Sequence, residues 1–184
     1  MRRLPVYLLL DTSGSMNGEP IEAVKNGVQI MISSLRQNPQ AIETAFISVI
    51  TFDSVAQQII PLTDLASFQM VDIKATGVTA LGDALKLVSN KIDNEVAKTT
   101  MEQKGDWKPI VFLFTDGVPT DDSKSARSEW NQNRQSSANM VAVSFGNETD
   151  TALLSDLTDN VLHFKNTDTE SYKQFFKWIT DSIK

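Results

Sequence analysis

Five consecutive apolar residues, Val6-Tyr7-Leu8-Leu9-Leu10, run directly into Asp11-Thr12-Ser13-Gly14-Ser15. A strand with no polar face must be covered on both sides, which points to a mostly parallel sheet held between two helical layers. The run is too short for a signal-peptide core or a membrane span, despite the basic Met1-Arg2-Arg3 before it. The expectation is a cytoplasmic protein, or a domain of a larger one, without direct membrane insertion. At 184 residues the chain suffices for one core and reads as a single domain, 1–184.

Strand and helix patterns then alternate. Ile21, Val24, Val28, Ile32 and Leu35 recur at steps of three and four, predicting a helix over 20–35 with Pro20 in its first turn and Asn38-Pro39 as its stop. Residues 44–52 read as a second strand, and 54–62 return as a third after the Asp53-Ser54 turn. Leu81, Leu85, Val88 and Ile92 mark a second helix, and the polar 93–108 stretch reads as its end and a surface loop. Residues 109–115 form the most strand-like segment, which stops at Asp116-Gly117. A solvated helix over 122–135, a strand over 140–145, a short helix over 150–157 and a short strand over 161–164 follow. Tyr172, Phe175, Phe176, Ile179 and Ile183 close the chain on one helical face. This alternation predicts an α/β, doubly wound, mostly parallel sheet.

Composition narrows the chemistry. With no cysteine and His163 as its single histidine, the chain has no thiolate or His-rich metal site. A net charge of -6 provides no basic face for nucleic acid. What remains is oxygen chemistry, and it concentrates where ligands bind in such sheets, beyond the carboxyl ends of the strands. Asp11, Ser13 and Ser15 follow the first strand, Thr79 precedes the second helix, and Asp116 ends the 109–115 strand. These oxygen-bearing side chains suit a hard ion such as Mg²⁺ or Mn²⁺. If hydroxyls bind directly and carboxylates partly through water, the ion stays electrophilic toward a further anionic ligand.

The pattern Asp11-x-Ser13-x-Ser15, with the later Thr79 and the Asp116-Gly117 pair, resembles the metal-ion-dependent adhesion site (MIDAS) of von Willebrand factor A (VWA) domains. The resemblance spans essentially the whole chain. It implies a Rossmann-like, six-stranded, mostly parallel sheet with one antiparallel edge strand and helices on both faces. It also implies Ser13, Ser15 and Thr79 as direct ligands, and Asp11 and Asp116 as direct or water-mediated ligands. The ion it implies is Mg²⁺, with Mn²⁺ or Ca²⁺ as alternatives, and the partner a protein contributing an Asp or Glu carboxylate. The flanking text, residues 8–16 and 79–85, is most similar to bacterial TerY-type proteins of tellurite-resistance and stress-response operons. That implies a complex at or near the inner membrane. Some TerY-like proteins carry a C-terminal metal-binding extension, which has no counterpart in this sequence.

Each piece alone has a plainer reading. Asp11 to Gly14 is a turn whose side chains bond their own backbone, Thr79 is a helix N-cap, and Asp116-Gly117 is a strand-ending turn. Asp53 is best explained by a hairpin turn, Asp83 by the helix dipole, Asp121-Asp122 by helix capping, and His163 by packing. Met16, Asn17 and Gly18 border the site and are candidates for shaping partner specificity, and Trp107 and Trp130 are candidates for an interface. No nucleophile–base pair is evident, so the leading reading is a non-enzymatic interaction module. The alternatives are a Mg²⁺-dependent aspartyl-phosphate phosphatase, which needs an acid where Ser13 stands, and a scaffold that binds without metal.

Overall fold

All eight residues of strand β1 (Leu4–Asp11) are buried, as a run without a polar face requires. The fold was obtained as a computed structural model that describes residues 2–78, 80–115, 124–133, 138–145, 155, 157, 158 and 161–164. The expected ligands Thr79 and Asp116, the Asp121-Asp122 pair, most of the 150–157 helix and the closing aromatic helix lie outside these residues.

β1 pairs in parallel with β2 (Ala45–Phe52) on one side and with β4 (Ile110–Thr115) on the other. β5 (Asn139–Phe145) and β6 (Val161–Phe164) extend the parallel side. β3 (Ala56–Asp64) returns antiparallel to β2, with register shifts around Val49, and the order is β3-β2-β1-β4-β5-β6. The α/β, mostly parallel sheet with one antiparallel pair is thus present. Pro61 is tolerated in β3 because that strand lies at the edge.

Alternate residues of β1 feed two separate cores. Val6, Leu8 and Leu10 pack with Val24, Val28, Met31 and Leu35 of α1 (Glu19–Arg36) and Ala41 of α2 (Pro39–Thr44). Tyr7 and Leu9 pack on the other face with Leu81, Leu85, Val88 and Ile92 of α3 (Leu81–Glu95) and with Ala126 and Trp130 of α4 (Lys124–Asn133). Burying an aliphatic side chain contributes roughly 1.5–3 kcal/mol, so these two layers supply most of the drive to fold.

α1 stops at Arg36, just before Asn38-Pro39 as expected, and the same pair starts α2: the Asn38 side chain accepts from the Gln40 and Ala41 amides and caps it, with proline at its first turn. Two expectations are corrected. α4 is not a fully solvated helix, because Ala126 and Trp130, four apart, lie on one buried stripe. Trp130 is only 2% exposed and is therefore core rather than interface.

The polar 93–108 loop is tied to the base of the sheet. Arg3 makes a forked ion pair with Asp106, its Nη2 2.7 Å from Oδ2, and also donates to the Glu95 carbonyl. Trp107 is half-buried, with Arg2 stacked 5.1 Å from its ring centre, and packs against the α1-side core. Tyr7 donates to Glu95 Oε1 at 3.0 Å, and burial, reinforced by Glu95, pushes its phenol well above the ordinary range. Among the described residues no helix is long and apolar enough to cross a membrane.

Candidate metal centre

From β1 the chain builds toward β2 and β3, then crosses to β4 on the opposite side, so the direction of winding switches between β1 and β4. Open α/β sheets form their ligand crevice at that point. The parallel register that sets Leu10 against Phe114 carries the next residues, Asp11 and Thr115, to adjoining strand ends. Thr115 donates its hydroxyl to Asp11 Oδ2 at 2.7 Å, and the Ser13 amide donates to Asp11 Oδ1 at 2.9 Å. Asp11 is 0% exposed and Ser13 1%. A carboxylate in such a place is costly unless donors hold it, and here they come from two elements.

The turn reading of Asp11 is therefore correct for one oxygen, Oδ1, while the other reaches across to β4. Ser13 stands at the N-cap of a single 3-10 turn (Gly14–Met16), but its side chain makes no capping bond there. Ser15 belongs to that turn by its backbone. Met16 is fully buried and packs in the α1-side core, so it does not face a partner. Asn17 is exposed, and Gly18, at φ 89°, lets the chain enter α1.

A second loop is stitched alongside the first. The Thr76 amide donates to the Thr12 carbonyl at 2.7 Å, and the Gly14 amide to the Gly77 carbonyl at 2.9 Å. Gly77 has φ +79°, a conformation that favours glycine, and a Cβ added there would stand 2.5 Å from Ser54 Oγ, so that hydroxyl would have to turn away. A Cβ on Gly14 would lie 3.3 Å from the Gly77 carbonyl oxygen, which shows how closely the two loops approach. α3 has Ala80 at its N-cap position.

Asp53 does more than turn a hairpin. Its Oδ1 accepts from the Val55 amide at 3.3 Å, closing the turn, while Oδ2 accepts from the Thr12 hydroxyl at 3.2 Å. Its carbonyl accepts from the Ala80 amide at 2.8 Å. One residue thus bonds to both loops that carry expected ligands. Sequence reasoning missed this, as it missed the Thr115 donor. Thr115 ends the 109–115 strand in the sequence, but its partner is visible only once the strand register is known.

Of the expected ligands, Asp11 and Ser13 are placed together, and Ser15 follows in the same turn. Thr79 and Asp116 fall outside the described residues, each next in sequence to a described one, Ala80 and Thr115. Among the described residues no group of three or more His, Cys, Asp or Glu converges. The groups seen are the buried Asp11 carboxylate and the Thr115 hydroxyl bonded to it, with the Ser13 amide on the other oxygen, and oxygen groups of this kind suit a hard divalent ion. His163 pairs in register with Ser144 in the β5–β6 ladder.

The family profile of the von Willebrand factor type A domain matches residues 6–178. The chain belongs to the VWA family. VWA domains are commonly metal-dependent protein-interaction modules. A curated relative, the uncharacterized protein sll0103 of Synechocystis sp. (strain ATCC 27184 / PCC 6803 / Kazusa), is 35% identical over 123 residues, covering 63% of this chain. The matched part is 26% of that relative's own length. Being uncharacterized, that relative lends no support to the TerY-type similarity.

Among solved structures, this VWA domain is similar to proximal thread matrix protein 1 of the mussel byssus with a zinc-occupied MIDAS motif. That match has a TM-score of 0.68 at 18% identity, covering 97% of this chain and 46% of that one. The ArnB paralog VWA2 of Sulfolobus acidocaldarius matches with a TM-score of 0.66 at 17% identity, over 93% of this chain and 44% of that one. Similarity at these identities establishes the VWA fold. The zinc-occupied relative shows that a member of the fold holds a divalent metal in its MIDAS.

Proposed function

We propose that this VWA domain is a divalent-cation-dependent protein-interaction module without catalytic activity. Asp11, Ser13, Ser15, Thr79 and Asp116 would hold the ion, Mg²⁺ first and Mn²⁺ or Ca²⁺ as alternatives. A partner protein's Asp or Glu carboxylate would complete its shell. Asp11 supports this reading: it is a wholly buried carboxylate at the winding switch, held by the Thr115 hydroxyl and the amide of the buried Ser13. Bound ions are often the largest local charge in a site, so a domain with net charge -6 can still attract an acidic partner there.

The phosphatase alternative is not favoured, since the acid it needs two positions after Asp11 is Ser13. The stress-response context and the cytoplasmic location belong to the proposal and rest on the sequence alone.

Titration calorimetry with Mg²⁺, Mn²⁺ and Zn²⁺ on wild type and Asp11→Ala tests the metal reading. Saturable binding to wild type that is lost in the variant is the expected result. A wild-type protein that binds none of these ions at millimolar concentration removes the metal from the proposal.

A further inference from the structure

A cavity of ≈ 220 Å³ lies between α3 and α4. Leu85 and Trp130 are buried members of its lining, while Lys86, Ser89 and Asp93 of α3 and Glu129 of α4 bring polar groups to it. None of the expected metal ligands lines it. Its volume is below that of pockets for drug-sized ligands and suits a small molecule.

Trp130 is only 2% exposed, yet among the described residues its indole N–H has no acceptor. Buried indole donors ordinarily have one, and a donor without it calls for a group that the chain does not supply. Lys86 and Glu129 carry opposite charges on the same cavity, but among the described residues they pair neither with each other nor with a third side chain. The half-buried Ser89 hydroxyl is likewise without a partner there. A buried donor, an unused hydroxyl and two unneutralised charges thus border one space. The charges are also ordered. Lys86 and Asp93 stand seven residues apart on one face of α3, about 10 Å along its axis, so the lining is cationic toward the start of the helix and anionic toward its end.

We infer that the cavity between α3 and α4 binds a small zwitterion of dipeptide size. Its carboxylate meets Lys86, its ammonium meets the carboxylates of Asp93 and Glu129, and a carbonyl between them accepts from the Trp130 indole. An extended dipeptide separates its charged ends by about 7 Å and carries that carbonyl in its peptide bond. A single amino acid holds both charges on one carbon, too close together to reach the two ends of the lining, and it has no such carbonyl.

The test follows the Trp130 indole N–H, assigned by triple-resonance NMR on the full chain, during titration with three probes. Glycylglycine carries both charges, N-acetylglycine only the carboxylate and glycinamide only the ammonium. Glycylglycine is expected to shift the resonance saturably and to bind more tightly than either single-charge probe. Lys86→Gln and Glu129→Gln, both at exposed positions, are each expected to weaken glycylglycine by roughly two- to fivefold, the worth of one exposed charge pair. Lys86→Gln should leave glycinamide binding unchanged, and Glu129→Gln should leave N-acetylglycine binding unchanged, which a general loosening of the helices would not do. An indole resonance unmoved by millimolar glycylglycine means that water alone occupies the cavity and overturns the inference. Equal affinity for the three probes overturns it too, as does glycylglycine binding that neither variant weakens.

Discussion

The Thr115 hydroxyl donates to Asp11 Oδ2 at 2.7 Å, joining two neighbouring strand ends that lie 104 residues apart in sequence. Both groups are buried, so neither exchanges this bond for water at no cost. Thr115→Val removes the donor and leaves a buried carboxylate short of one partner. The expected loss is about 1.5–3 kcal/mol, the usual range for a hydrogen bond to a charged group. Thr115→Ser, which keeps the hydroxyl, recovers most of it. Urea midpoints measure both, and a wild-type midpoint for the valine variant would show that the bond contributes nothing.

An ion that binds only the folded chain also raises its stability by mass action. At a free Mg²⁺ concentration a hundredfold above its dissociation constant, the gain is about 2.7 kcal/mol. Scanning calorimetry should show the transition rising with Mg²⁺ and returning with EDTA, and Asp11→Ala should abolish the response. A transition temperature indifferent to Mg²⁺, Mn²⁺ and EDTA contradicts the prediction.

Gly77 combines a left-handed backbone with a side-chain clash. Gly77→Ala places a methyl group 2.5 Å from Ser54 Oγ at φ +79°. The backbone strain alone costs roughly 1–2 kcal/mol. The clash adds to this and should vanish in the double variant with Ser54→Gly. A double-mutant cycle with no coupling between the two positions counts against the close approach of these loops.

The sheet was legible where local pattern decides. The apolar β1 run implied covering on both faces, and Tyr7 and Leu9 do face a different core from Leu8 and Leu10. The spacing of Ile21, Val24, Val28, Ile32 and Leu35 located α1, and all of these are buried. Legibility failed where a residue has two local uses or a distant partner. Asn38-Pro39 was read only as a stop, and α1 does end at Arg36, but the same pair also caps and starts α2. Met16 looked surface-bound among polar neighbours, but the 3-10 turn folds it inward. Trp130 shares its buried stripe with a small alanine, too thin a signal in the polar Lys124–Asn133 segment. In the site, the position of Asp11 and Ser13 at the end of β1 was readable from the apolar run before them. The Thr12–Asp53 bond, spanning 41 residues, was not, because no periodicity encodes it.

Acid should loosen the base of the sheet through Asp106. Burial pushes its carboxyl up, but the hydrogen bond from Arg3, aided by the Ala97 amide, outweighs this and holds it below the ordinary range. A carboxylate with a lowered folded pKa contributes stability that is fully present above its unfolded pKa, about 3.9. That contribution is lost as pH falls through the lower folded value. Arg3 stays charged throughout this window. Asp106→Asn should therefore be less stable than wild type at neutral pH, with the gap closing below about pH 4. Urea midpoints taken between neutral and strongly acidic pH test this, and a gap independent of pH refutes it.

Asp53 should tune the metal site without touching the ion. Its carboxylate holds the Thr12 hydroxyl and the Val55 amide, and Thr12 separates the expected ligands Asp11 and Ser13. Groups that orient ligands from behind typically change metal affinity by about 10–100-fold when removed. Asp53→Ala is expected to fall at the lower end of that range, because the carbonyl bond to the Ala80 amide is a backbone contact and survives. Asp53→Asn keeps one acceptor oxygen and should restore part of the affinity. Stability should drop by roughly 1–3 kcal/mol in the alanine variant, because two side-chain hydrogen bonds of about 0.5–1.5 kcal/mol each are lost. A general loosening of the fold would lower urea midpoint and Mg²⁺ affinity together in both variants. Positioning of the Asp11 loop instead predicts an affinity loss larger than the stability loss explains, relieved by asparagine. Calorimetric Mg²⁺ titration beside urea unfolding separates the two, and unchanged affinity in Asp53→Ala would leave the residue a turn-former only.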